Sequence, residues 1–174
     1  MTGGSCVWLR AEHNNHLWSC DFVVDRTMDE RKIRLLNILA ESIRECLARV
    51  PKRNWRNHDV IESLSDFMLQ KGVPIYLRSD NGSEFTANTI RKWLGDLGIT
   101  AAYIEPGSPW ENGYIESFNS RMRDEFLNGA LFTNMYEVQV LTKRWVRYYN
   151  QVRPHGSLGG GRPPAPQTII PLTA

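Results

Sequence analysis

Residues Leu17 to Asp25 read LWSCDFVVD, an apolar and β-branched run interrupted by a single acid, Asp21. That composition is the pattern of a buried strand. A carboxylate inside such a strand carries a desolvation cost that a partner must offset. Working outward, the turn-like MDER leads into KIRLLNIL (32–39), and AES leads into residues Arg44 to Val50. Three antiparallel strands joined by hairpins are therefore expected. Beyond them, NHDVIESLSDFMLQ (57–70) places Val60, Ile61, Leu64, Phe67 and Met68 at helical spacing, and Lys71-Gly72 ends that helix before the strand PIYLRS. A second helix over Thr86–Leu97, with Ile90, Trp93, Leu94 and Leu97 on one face, precedes Gly98 and the strand ITAAYI. Two further helices follow, Gly113 to about Leu127 and Met135 to about Asn150. The order βββαβαβ followed by helices predicts an α/β fold: a mixed five-stranded sheet, its first three strands antiparallel, flanked by helices.

The chain has 174 residues, 41% of them hydrophobic, which suits one domain with its own core. Its three cysteines, Cys6, Cys20 and Cys46, match neither a zinc site nor a disulfide framework and fit a reducing cytosol. No apolar run reaches membrane-spanning length and the N-terminus lacks the pattern of a signal peptide, so a cytoplasmic protein with no membrane partner is expected. A net charge of +2 does not announce nucleic-acid binding. Its distribution is uneven, with nine Lys/Arg against four Asp/Glu from Arg26 to His58 and seven against four from Glu116 to Arg162. Solvated faces account for such runs as readily as a DNA surface does. Three segments are expected: an N-terminal extension (1–15) that is loosely ordered or disordered, a catalytic core (16–151), and a Pro/Gly-rich tail (152–174).

Three acids stand where acids are expensive: Asp21 in the first strand, Asp80 at the end of PIYLRS, and Glu116 at the start of an amphipathic helix. Any one of them alone reads as a capped or ion-paired structural group. Together they fit a hard divalent cation, since Mg²⁺ takes a few carboxylate oxygens and completes its shell with water and phosphate oxygens. Thirty-five residues separate Asp80 from Glu116, and fifty-eight separate Asp21 from Asp80.

Through WSCDFVVD, LRSDNGSEF, EPGSPWENGYIESFNSRMRDEF and YYNQVRPHGSL, from about His16 to Pro166, the chain resembles the DDE transposases of the retroviral-integrase superfamily, closest to the insertion-sequence-three family. The resemblance implies an RNase H-like fold and maps the catalytic and metal-binding triad onto Asp21, Asp80 and Glu116. It further implies DNA strand cleavage and strand transfer with two Mg²⁺ or Mn²⁺ ions, which need no covalent protein–DNA intermediate. Asp21 then bridges both ions, Asp80 completes one site and Glu116 the other. One departure stands out: similar transposases carry a pair of aspartates after the second strand, where this chain has Ala40 and Glu41.

Around the triad, Asn119, Ser120 and Arg123 lie at i+3, i+4 and i+7 from Glu116 and are candidate DNA contacts. Arg123 reads equally as an exposed Arg paired with a nearby acid. Asn81-Gly82 is expected to make the turn presenting Asp80, with Gly82 at positive φ, and Glu84 reads as a helix N-terminal residue. Trp110, in the Pro- and Gly-rich loop 106–113, either stacks on a displaced base or packs down on the next helix. Arg147 and Arg153 are candidate backbone contacts, while Trp145, Tyr148 and Tyr149 also fit core packing. His155 is not expected to be a metal ligand. DNA and a homodimer or larger assembly are the expected partners, with association with the nucleoid and no small-molecule substrate. Full-length relatives carry a helix-turn-helix region before this domain, so a core fragment or truncated product with weak end recognition is expected. The rival reading is a non-catalytic remnant that binds DNA or oligomerises with an intact transposase. A nuclease acting on RNA–DNA hybrids shares the fold and the metals.

Overall fold

The computed structural model describes residues 9–47, 50–104, 112–156 and 158. Its elements are β1 (Leu17–Arg26), β2 (Lys32–Ala40), β3 (Glu45–Cys46), β4 (Val50–Lys52), α1 (Asn57–Lys71), β5 (Tyr76–Ser79), α2 (Ser83–Thr86), α3 (Asn88–Asp96), β6 (Thr100–Tyr103), α4 (Gly113–Glu125) and α5 (Met135–Gln151). A 3₁₀ turn, Leu127–Gly129, separates the last two helices. The sheet runs β3-β2-β1-β5-β6, with β4 also paired to β2. β1 pairs antiparallel with β2 and parallel with β5, so the sheet is mixed, as the strand order predicts.

The expected third strand, Arg44 to Val50, is two short strands instead, which makes the sheet six-stranded. Arg44 sits at φ 61 and belongs to the turn before β3. β4 contains Pro51, which cannot donate a ladder hydrogen bond and is at home on an edge. The helix expected over Thr86–Leu97 is also divided, because Ala87 at ψ 142 leaves helical geometry between α2 and α3. The expected loop at 106–113 lies outside the described residues up to 111, and so do residues 1–8 and 159–174 of the terminal segments.

Strand alternation distributes the chain between two cores. Trp18, Cys20, Leu36 and Ile38 face α1 and α3, where Val60, Leu64, Phe67, Ile90 and Leu94 close one layer. Val23, Ile33, Leu35 and Leu39 face α4 and α5, where Ile115, Phe118, Met122, Val138, Trp145 and Tyr149 close the other. The sheet is thus covered on both faces, and β1 is its middle strand. Cys20 and Cys46 are buried, and no disulfide forms among the described residues. No helix among them is long and apolar enough to cross a membrane.

The short β3 has little ladder of its own, and α5 supplies the difference. The Asn150 carboxamide accepts from Cys46 N at 2.8 Å and donates to Cys46 O at 2.7 Å, imitating a neighbouring strand on buried backbone. Replacing it leaves a donor and an acceptor unpaired. Asn150→Ala should cost about 1–3 kcal/mol, read as a lower denaturant midpoint with an unchanged slope.

Candidate active site

Asp21 lies on the α4 side of β1. β1 pairs in parallel with β5, Ser19 opposite Arg78, and Asp21 and Asp80 each stand two residues beyond that last pair. The Asp21 carboxylate is held at both oxygens. Oδ1 accepts from Phe22 N at 2.8 Å, and Oδ2 accepts from Asn119 Nδ2 at 3.0 Å. Asn119 in turn accepts through Oδ1 from Asn37 Nδ2 at 2.9 Å, and Asn37 is the cross-strand partner of Asp21 on β2.

Asp80 caps its own turn, its Oδ1 accepting from Gly82 N at 2.8 Å. Asn81 fastens that turn to the end of β6 by donating to Ile104 O at 2.8 Å. Gly82 is not at positive φ; its φ is −59. A Cβ at this position would fall 2.9 Å from Asp80 Oδ1 and 3.0 Å from Glu84 Oε2, so a side chain here would press on the two carboxylates. Glu84, in the first turn of α2, forms an ion pair with Arg34 at 2.6 Å. Glu116 is in the first turn of α4, exposed like Asp80.

Burial raises the Asp21 carboxyl from its ordinary 3.8 to about 6. The Phe22 N–H and Asn119 oppose the shift, while the charges of Asp80 and Glu116 add to it. The three acids therefore face one another electrostatically. Among the described residues, no three His, Cys, Asp or Glu side chains are gathered tightly enough to hold a metal ion, so the carboxylates share a space without closing on one point. As a donor set they are all hard oxygens, with the Cys20 thiol turned to the opposite core, which suits magnesium or manganese chemically.

Beneath the acids lies a buried pair. Glu41 and Arg78 meet at 3.1 Å with side chains 0% and 5% exposed, and the Ser19 hydroxyl donates to the same Glu41 oxygen. Arg78 also donates to Leu9 O, tying down the residues before β1. Glu41 is one of the two positions that depart from the aspartate pair of similar transposases, and it serves as the counter-ion of a buried arginine. Ala40, the other, is apolar core.

The remaining candidates are dispersed. Ser120 is exposed on α4, and Arg123, exposed one turn further, donates to Val24 O at 3.2 Å. Arg147 is exposed on α5 beside Gln151, and Arg153 is paired with Glu125 at 2.6 Å. Trp110 lies outside the described residues. Trp145 and Tyr149 are core residues, whereas Tyr148 is 45% exposed. His155 is buried against the Tyr149 ring and bonded to Tyr149 O. Asn37 and the Glu41–Arg78 pair were not legible as site residues, though Asn37 carries the same signal as Asp21, one polar residue inside an apolar strand.

A family model described as an integrase core domain matches residues 11–109, more than half of the chain, and a second model of the same description matches 97–164. The chain belongs to the integrase core domain family. It is 38% identical over 151 residues to the uncharacterized 39.2 kDa protein of insertion element IS476 of Xanthomonas euvesicatoria, covering 87% of this chain and 44% of that protein. It is 33% identical over 144 residues to the uncharacterized 31.7 kDa protein of insertion element IS407 of Burkholderia multivorans, covering 83% and 52%. This integrase core thus spans about half the length of the curated relatives it matches. Among solved structures, the magnesium complex of the HTLV-2 integrase catalytic core, in its trimeric form, aligns with TM-score 0.71 at 15% identity over 89% of this chain and 97% of that one. The simian T-cell lymphotropic virus intasome with the PP2A regulatory subunit B56 gamma aligns with TM-score 0.72 at 17% identity over 94% and 59%. The fold is RNase H-like.

Because folding lifts the Asp21 carboxyl from 3.8 to about 6, its ionised form opposes folding. That cost is complete above pH 6 and is relieved as pH falls toward 4. Without divalent cations at pH 7.5, Asp21→Asn should be more stable than the parent by on the order of 1–2 kcal/mol, a value discounted for partial solvent access. The gap should close toward pH 4, as followed by thermal unfolding across a pH series.

Proposed function

We propose that this integrase core carries out metal-dependent DNA strand cleavage and strand transfer, with Asp21, Asp80 and Glu116 as its catalytic carboxylates. The observation that carries the reading is geometric: Asp21 stands half-buried on the middle strand with both carboxylate oxygens oriented by Phe22 N–H and Asn119, beside the strand that leads into Asp80 and under the helix that carries Glu116. Two divalent cations held among the three carboxylates, magnesium or manganese, supply charge neutralisation at the phosphate and an activated hydroxyl at neutral pH. The chain's own groups prepare for that. The Phe22 N–H and Asn119 hold the two Asp21 oxygens in one orientation while each keeps a second lone pair. The Gly82 N–H orients Asp80 in the same way. Glu116 approaches from α4, the element pinned to β1 by the Asn119 bond.

DNA is the substrate in this reading, and self-association accompanies the joining of two ends. The solved HTLV-2 core occurs in dimeric and trimeric forms, which supports an assembly. Of the described DNA candidates, Ser120, Arg123 and Arg147 keep exposed positions, whereas Asn119 is turned inward and Arg153 is paired. The domain reading that goes with this function is a catalytic core over 16–151 flanked by an extension (1–15) and a tail (152–174).

The reading is tested by cleavage and transfer on labelled DNA with Mg²⁺ or Mn²⁺. Asp21→Asn, Asp80→Asn and Glu116→Gln should each abolish both steps while binding DNA; retained activity in Asp21→Asn refutes the assignment. Arg123→Ala should weaken DNA binding across all sequences and lower the slope of log affinity against log salt by about one. Fluorescence anisotropy at several salt concentrations reads that slope, and an unchanged value moves the DNA path toward Arg147.

A further inference from the structure

Asn37 belongs to neither the acidic triad nor the candidate DNA contacts. It stands in the middle of β2 opposite Asp21, 1% exposed, with its amino group directed at α4. There Nδ2 donates to Asn119 Oδ1 at 2.9 Å and lies 3.3 Å from Met122 Sδ. Asn119 passes the polarity on, its own Nδ2 reaching Asp21 Oδ2 at 3.0 Å.

A carboxamide has a donor end and an acceptor end that exchange by a half-turn about χ2. Left alone, Asn119 can turn either end to Asp21, and an oxygen against a carboxylate is repulsive. The Asn37 amino group, turned to α4 by the Met122 Sδ acceptor beside it, biases that choice. With Asn37 donating to its oxygen, Asn119 has its amino group on Asp21. The bond from Phe22 N fixes the other Asp21 oxygen, so the carboxylate has one orientation.

We propose that Asn37 is a positioning residue for the strand-transfer centre: by donating to Asn119 it orients that carboxamide on Asp21 and holds the carboxylate ready for a divalent cation. The proposal rests on the reading of Asp21 as a metal ligand and deepens it. Groups that orient a ligand from behind change metal affinity by about 10–100-fold when removed.

The experiment compares the parent chain with Asn37→Leu (similar volume, no donor), Asn119→Ala, the double variant and Asp21→Asn. Mn²⁺ binding is read by calorimetry, the Asn119 side-chain amide by ¹⁵N NMR without metal, and strand transfer as kcat and KM for DNA. Asn37→Leu should unfold cooperatively, bind Mn²⁺ on the order of tenfold more weakly, and lower kcat with little change in KM. Its Asn119 amino protons should move from their parent chemical shifts and exchange faster with water. The double variant should bind Mn²⁺ no more weakly than Asn119→Ala alone, since Asn37 acts through Asn119. Parent-like Mn²⁺ affinity in Asn37→Leu, or losses that add in the double variant, overturns the proposal. Should Asn37→Leu fail to fold, Asn119→Ala, altered only on the half-buried helix side, carries the same Mn²⁺ test, and parent-like affinity there overturns it too. Asp21→Asn that binds Mn²⁺ like the parent sinks the metal-ligand reading instead, with the Asn119 signals still reporting the relay.

Discussion

A carboxylate on the middle strand of a sheet covered on both faces has to be accommodated by everything packed around it, and Asp21 is that carboxylate. Because side chains alternate along β1, Trp18, Cys20 and Phe22 commit one face to apolar packing, while Ser19 and Asp21 commit the other to polar groups before Val23 restores the core. The helix that covers the polar side cannot be uniformly apolar. α4 meets the demand by burying Ile115, Phe118 and Met122 on either side of Asn119, whose amide faces Asp21. One desolvated anion thus dictates the register of a helix against the sheet, and that helix also carries Glu116.

The polar line extends below the acids as the Glu41–Arg78 pair. Two buried charges joined by hydrogen bonds recover their desolvation cost only when the geometry is good, and such pairs contribute little net stability. Their value here is directional. Arg78 is two residues before Asp80, Ser19 two before Asp21, and Glu41 directly follows β2, so one ion pair ties together the three strands that carry or flank the first two acids. Burial raises the Glu41 carboxyl despite Ser19 and Arg78 beside it, consistent with a pair held in a dry environment.

On the far side of α4, aromatic packing replaces charge. Phe118 meets Tyr149 edge-on and Trp145 at a tilt, Phe126 stacks on Trp145, and His155 closes over Tyr149. The late basic and aromatic segment is therefore divided by helical period. Trp145, Tyr149 and Asn150 turn inward to the core and to β3, while Arg144, Arg147 and Tyr148 remain exposed. Composition treats these residues as one group; only their angular positions on α5 separate them.

The sequence by itself determined the architecture, the family and the positions of the three acids. Apolar periodicity marks the long strands and helices and their order, though not the breaks at β3/β4 and α2/α3, and an acid inside LWSCDFVVD is conspicuous because burial makes it costly. What only the tertiary structure decided are the relations between groups distant in the chain. Asn37 and Asn119 are 82 residues apart, and Asn150 and Cys46 are 104 apart. The third strand divides where its register against β2 shifts by one residue, from Leu39 opposite Cys46 to Leu36 opposite Val50, an offset that local β-propensity does not show. Gly82 was expected at positive φ and is not; what it meets are the carboxylates of Asp80 and Glu84, a proximity set only when the chain folds. Periodicity reports how much of a side chain is hidden; which partner it meets depends on where another element crosses it.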